Sequence, residues 1–239
     1  MAKINLTAII IVALIINGAL IGLNIFVNKG VANTISVTGN SQMTVAPDNA
    51  VVYLLIQTRN ISAQEAKNEN AIVFDNVLTA LIKEGIERKN IETENYNIYP
   101  EYEWDNRQEL KGYIASNYIK VTTKNFDNVG KIIDASVDAG ALVDYINFEL
   151  SNEKNNEYKE IVLENASKDA ENKAKAIANG LGKKLGKIVS VSASDYYYEP
   201  YIYYSRTTAA ETNVKKIATN IIPKNLDISA TVSISYEIK

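Results

Sequence analysis

Asn49–Arg59, NAVVYLLIQTR, is apolar on both faces through its centre and rich in β-branched residues, so it reads as a long strand. A helix follows at once. Ser62 opens it, and Glu65, three residues later, completes a capping-box pattern. Ala66, Ile72 or Val73, Val77, Leu78, Leu81 and Ile82 mark its apolar stripe, which stops at Gly85.

Upstream, Thr34–Thr38 (TISVT) alternates and predicts a strand ending at Gly39, which Met43–Val45 continues before a turn at Pro47-Asp48. Downstream, Asn90–Trp104 (NIETENYNIYPEYEW) and Gly112–Thr123 (GYIASNYIKVTT) read as a hairpin whose long, charged tip is Asp105–Lys111. A helix over Phe126–Ala139 ends before Gly140, and Val143–Leu150 is a strand. The longest helix, Asn155–Leu181, carries Ala166, Ala170, Ala174 and Ala178 four apart, a ridge that permits close packing. Lys187–Ala193 and Leu226–Ile238 read as strands, and Thr207–Ile222 as loop or short hairpin. The segments LTALIKEGIERKNIET and IIDASVDAGALVDYINF echo each other as helix, glycine, strand. The order β-β-α-β-β-α-β-α-β-β points to an α+β fold, a mostly antiparallel sheet covered by helices.

Ahead of this domain, Ile4–Val27 runs for 24 residues without a charge, flanked by Lys3 and Lys29. As a helix rising about 1.5 Å per residue, it is long enough for a hydrocarbon core of roughly 30 Å. The division is therefore residues 1–29 as N-terminal transmembrane anchor and 30–239 as one domain. The competing reading is a cleaved signal with an apolar core at Ala8–Ile16; apolarity resuming through Leu20–Val27 favours an uncleaved span. Lys3 and the terminal amine oppose a lone Lys29, so the positive-inside rule puts the N-terminus in the cytoplasm and the domain outside. Gly18 and Gly22 form a GxxxG, and Asn17 and Asn24 project from a different face. Two association faces suit a ring better than a simple dimer. Taken alone, the glycines are also what any membrane helix commonly carries.

The chain has 25 Lys+Arg against 28 Asp+Glu, a net charge of −3, and no basic cluster, which argues against nucleic acid as a partner. It has neither cysteine nor histidine. That removes disulfides, thiolate metal sites, Ser-His-Asp and Cys-His nucleophiles and HExxH zinc sites. No catalytic, metal or cofactor residues are assigned, and the chain is expected not to be an enzyme. Glu101, Glu103 and Asp105 alternate in YEYEWD, about 7 Å apart along a strand face. Such carboxylates can hold a divalent cation or act as an acid/base pair, but a solvated hairpin edge explains them as well. Asn60-Ile-Ser62 and Asn165-Ala-Ser167 match glycosylation sequons, frequent by chance in an Asn-rich chain.

Asp195–Arg206, DYYYEPYIYYSR, places Tyr196, Tyr197, Tyr198, Tyr201, Tyr203 and Tyr204 within nine positions around Glu199-Pro200. Tyrosine offers wide amphipathic contact area with little rotamer entropy to lose, which favours recognition surfaces. An internally packed loop and an intersubunit contact are the two leading readings; a membrane surface or glycan is the third.

Many small matches, in order, carry a family resemblance: Ile35-Ser-Val-Thr-Gly39, Pro47-Asp48, Ala63–Ala66 with Asn70, Gly85-Ile86 and Asn90-Ile91-Glu92-Thr93. Ile98-Tyr99-Pro100, Gly112-Tyr113, Ala115-Ser116, Gly140-Ala141 and Ala166–Ala178 with Gly182 and Gly186 complete them. Over Thr34–Ile238 the chain resembles the SIMPL-domain family of YggE-like and periplasmic immunogenic bacterial proteins. It departs from the family's early Gly-x-Gly, since Ser41 stands two places after Gly39. The resemblance implies an extracytoplasmic domain, oligomeric in some members, with ring- or channel-like assemblies among relatives and no catalytic residues to carry over. The expectation is a membrane-anchored, extracytoplasmic homo-oligomer, its partners itself and, through residues 4–27, the membrane. The alternatives are a module binding a partner protein, envelope polymer or small ligand through the Tyr-rich segment, and, third, a carboxylate- or metal-dependent hydrolase.

Overall fold

Alternating and β-branched runs form strands, and the striped segments form helices, in the order expected with one strand added. The computed structural model describes residues 33–105, 107–204 and 222–239. The anchor Ile4–Val27, with Asn17, Gly18, Gly22 and Asn24, lies outside the described residues, as does most of Thr207–Ile222. Among the described residues no helix is long and apolar enough to cross a membrane.

The strands are β1 (Thr34–Val45), β2 (Asn49–Asn60), β3 (Ile91–Asp105), β4 (Arg107–Thr123), β5 (Leu142–Glu149), β6 (Leu185–Tyr198), β7 (Tyr201–Tyr204) and β8 (Leu226–Ile238). Among the described residues three α-helices lie between them: α1 (Ala63–Lys83), α2 (Asp127–Asp138) and α3 (Asn152–Gly180). The strands make two sheets where the sequence reading expected one, ordered β3-β4-β2-β5-β7 and β1-β8-β6. The chain divides into two compact units. One comprises the described residues up to Ser41 with Glu164–Asp195 and Thr231–Lys239, the other Gln42–Leu163 and Tyr196–Ala230.

In the larger unit β2 is central because its middle is apolar on both faces; Val51, Val52, Leu54 and Ile56 are fully buried. It pairs antiparallel with β4 and β5. Helices α1 and α2 pack on one face of this sheet, over a core that includes Leu54, Ile56, Ile119, Ile132, Ile146 and Phe148. Ser62 caps α1, its hydroxyl accepting from the Glu65 N–H as the capping box requires. Of the two stripe alternatives, Val73 packs on the core and Ile72 is exposed.

Asn70 takes the next inward position. Fully buried, it donates from Nδ2 to the Ile56 carbonyl at 3.0 Å and the Ala115 carbonyl at 3.1 Å, tying α1 to adjacent strands. The helix then ends in a Schellman motif: Gly85, at φ +85°, donates to Ile82, and Ile86 donates to Leu81. The same pattern closes α2 at Gly140 and α3 at Gly182. A shared helix stop therefore accounts for the internal echo.

The β3–β4 hairpin is longer than expected. The expected tip, Asp105–Lys111, is largely paired strand, with Asp105 opposite Arg107 and a register shift at Glu101/Tyr102.

In the smaller unit Gly39 of β1 lies against α3. A Cβ at Gly39 would strike the Ala166 carbonyl oxygen and the Ala170 amide, both backbone atoms that a side chain cannot push aside. Ala166, Ala170, Ala174 and Ala178 are all fully buried, so the ridge is the face on which α3 packs. β1 and β8 run antiparallel in constant register, with Ser36 bonded to Ser235, Thr38 to Ser233 and Asn40 to Thr231.

Asn70→Ala strands two buried carbonyls, each costing about 1–3 kcal/mol, so urea unfolding followed by circular dichroism should show a loss of about 3 kcal/mol. Asn68→Ala, on the exposed side of the same helix, should change the midpoint little. Gly39→Ala should destabilise by about 1–3 kcal/mol through overpacking.

Candidate interaction surface

The Tyr-rich segment does not form one patch. Its chain leaves β6 at Tyr198, turns at Glu199-Pro200, and returns as β7, which joins the edge of the five-stranded sheet beside β5. This strand was not expected from the sequence. Alternation along β7 sends Tyr201 and Tyr203 towards the helix-covered core, where Tyr201 stacks on Phe148 at 6.3 Å.

Tyr196 and Tyr198 are held from the other side of the turn. The Tyr196 hydroxyl bonds the Asn155 side chain near the start of α3, and the Lys159 ammonium sits 5.4 Å from the centre of its ring. The Tyr198 hydroxyl accepts from the Leu150 N–H at 2.6 Å. Burial pushes the Tyr198 phenol up to about 12, with further raising by Glu149, Tyr196 and Asp48, against the Leu150 bond. Burial likewise raises Tyr196.

Tyr197 is the member left on the surface: it is 57% exposed, and its hydroxyl donates to Glu199 at 2.7 Å. Only the backbone of Tyr204 is described, opposite Tyr145. Beside Tyr197, an open groove of about 510 Å³ is walled by Glu199, Pro200, Tyr201 and Ile202, and on the far side by Lys224 and Asp227. An aromatic wall flanked by two carboxylates and one ammonium can take a peptide or a sugar by stacking and hydrogen bonding.

The start of α3 depends on Pro47-Asp48, which in sequence has the form of a simple turn. Asp48 accepts from the Ser151 N–H at 2.6 Å and from its hydroxyl at 2.7 Å. Ser151 in turn accepts from the Lys154 N–H, which caps α3. Pro47-Asp48 thus positions the helix carrying Asn155 and Lys159. The only signal in sequence was Ser151 ahead of a helical run.

Two of the alternating carboxylates near the end of β3 are engaged by cations. Glu101 pairs with Arg59 at 3.3 Å and Glu103 with Lys111 at 2.6 Å. Both pairs are partly exposed, the situation of a solvated hairpin. Asn60, in the first sequon, donates to Glu69 and accepts from the Ser62 N–H. A second, polar cavity of about 410 Å³ went unnoticed in sequence because its residues are scattered: Asn49, Glu87, Lys89, Asn90, Lys124 and Asn128. Asn49 Oδ1 there is buried without a hydrogen-bond partner.

Among the described residues, two mostly antiparallel sheets with three α-helices define an α+β fold whose class can now be given. The model of the SIMPL family, described as a protein of unknown function (DUF541), matches residues 35–236, and the chain belongs to that family. It is 34% identical over 168 residues to the 26 kDa periplasmic immunogenic protein of Brucella melitensis biotype 1, covering 66% of this chain and 65% of that one. The chain thus spans just under two thirds of that relative's length. It is 25% identical over 182 residues to the uncharacterized protein YggE of Escherichia coli K12, covering 75% and 74%.

Because the phenol of Tyr198 is raised, its folded-state contribution is fully present below its ordinary value near 10 and is lost as pH climbs from about 10 through 12. Absorbance titration at about 295 nm should find this phenol un-ionised at pH 11, and Tyr198→Phe should remove that late component. Ser151→Ala should lower unfolding stability by about 1 kcal/mol through loss of the cap.

Proposed function

We propose that this chain is a non-catalytic, membrane-anchored protein whose domain lies outside the cytoplasm and self-assembles into a homo-oligomer, a ring-like or channel-like scaffold over the membrane. The observation that carries the reading is the uncharged run Ile4–Val27 directly ahead of a domain whose family includes proteins named periplasmic. The GxxxG of Gly18 and Gly22 and the separate face of Asn17 and Asn24 supply helix contacts in lipid. Absence of cysteine and histidine, with Glu101 and Glu103 each held by a cation, supports a role without catalysis.

A second reading has one specific observation in its favour. The groove beside Tyr197 fits a binding module for a partner protein, envelope polymer or small ligand, with Glu199 and Lys224 setting polarity. Isolated residues 30–239 would then bind saturably, and Tyr197→Ser would abolish binding while leaving the fold intact.

For the assembly reading, light scattering of the full chain in detergent should give a mass of several copies. Replacing Gly18 and Gly22 together by Leu should reduce that mass. A monomeric wild-type chain would reject the proposal. Protease added outside intact cells should reach the domain, and protection of the domain would reverse the orientation.

A further inference from the structure

The two edges of the three-stranded sheet are treated in opposite ways. Because the Ile238 N–H donates to the Asn33 carbonyl, alternate residues of β1, including Thr38 and Asn40, turn their peptide groups away from β8 to the free edge. Helix α3, seated on Gly39, closes that edge with side chains. Asp169 accepts from the Asn40 N–H at 2.9 Å, and the Lys173 ammonium donates to the Thr38 carbonyl at 3.0 Å. The two side chains are also ion-paired at 2.7 Å, and Lys173, then the Asn40 amide, holds the Asp169 carboxyl below its ordinary range.

At the other edge β6 ends the sheet order, and among the described residues no helix side chain closes it in that way. Its middle reads Ile188-Val189-Ser190-Val191, with Ile188, Val189 and Val191 exposed by 54%, 52% and 57%. Successive residues of a strand point to opposite faces, so β6 offers apolar side chains on both. Ile177 and Leu181, near the end of α3, add exposed apolar surface in the same unit. A long, apolar, unblocked edge strand is what proteins otherwise avoid, because it templates pairing with another strand.

We propose that the β6 edge is a docking surface for β6 of a second copy of this chain, paired antiparallel about a two-fold axis at Val191. The inference rests on the self-assembly reading and names one of its interfaces. Three observations select a second copy. First, the blocked β1 edge disfavours head-to-tail addition of β6 to β1. Second, Lys187 and Asp195, the only charged residues of β6, lie four places either side of Val191. The antiparallel two-fold register therefore sets each opposite the other, whereas parallel pairing sets like charges together. Third, hydrogen bonding between Lys184 and Lys239 turns the peptide groups of alternate β6 residues, Val191 among them, to the outer edge, as a hydrogen-bonded pair on the axis requires. Two sheets join into a continuous one, and Val191 packs on its own copy.

The cysteine-free chain makes the test direct. In the full-length protein in detergent, Val191→Cys places two thiols on the axis. The facing Cα atoms are about 5.5 Å apart, within disulfide range. Mild oxidation should convert most of this variant to a covalent dimer, whereas Thr38→Cys on β1 should stay unlinked. Val191→Lys should lose at least half of the particle mass by light scattering with an unchanged circular dichroism spectrum. An oligomer in which the residue 191 thiol stays unlinked, or in which the residue 38 thiol links instead, overturns the β6 assignment and leaves self-assembly standing. A monomeric wild-type chain overturns both. Retained mass in a folded Val191→Lys protein also overturns the assignment, and if that variant does not fold, the thiol result decides alone.

Discussion

Gly39 against the backbone of Ala166 and Ala170 is the contact on which the smaller unit depends. Helix and strand meet there without a side chain between them, so α3 sits directly over β1 and is seated by the buried alanines on either side. Two consequences follow from that placement. The helix brings Asp169 and Lys173 to the outer edge of β1, which they occupy. It also leaves β6, two strands away, with Ile188, Val189 and Val191 in solvent. Among the described residues, the sheet thus has one edge closed by a helix and one edge without such a closure, and the proposed second-copy geometry rests on that asymmetry.

The larger unit is fixed by polar groups placed inside an apolar core. Asn70 spends both amide hydrogens on carbonyls of adjacent strands, so α1 cannot slide along the sheet without stranding them. Asp48 and Ser151 do the same for the start of α3. The Tyr-rich segment belongs to this framework as much as to the surface: Tyr196 and Tyr198 brace a helix start, Tyr201 and Tyr203 fill the core edge, and Tyr197 alone of those described stands out from the groove. The exposed and the bracing tyrosines are therefore separable by residue.

Local chemistry was legible in the sequence, and long-range pairing was not. Ser62 with Glu65, the glycine stops at Gly85, Gly140 and Gly182, and the alanine ridge could each be read from neighbours within a few positions, because capping and helix periodicity are local. The division of the strands into two sheets depends on which strand meets which across the chain, and alternation carries no such information. β4 was read short because Arg107–Lys111 is polar: a hairpin end solvated on both faces has no apolar alternation to reveal it. β7 was hidden for the opposite reason, since tyrosine at nearly every position masks which residues face inward. Asp48 looked like any turn aspartate because its partner, Ser151, is 103 residues away. The open β6 edge lay in plain view as IVSV, yet only the strand order gives an apolar strand at an edge its meaning.

The placement of α3 on β1 is matched, in the proposed dimer, by docking of a second copy on the β6 edge. Amide hydrogen exchange on the full-length oligomer tests it most directly, read residue by residue along the two edges and repeated on a dissociated, folded protein. The prediction is strong protection of alternate amides around Val191 in the oligomer, lost on dissociation, with the Asn40 amide protected in both because Asp169 holds it. Equal exchange of the β6 amides in the two states would rule out docking at this edge.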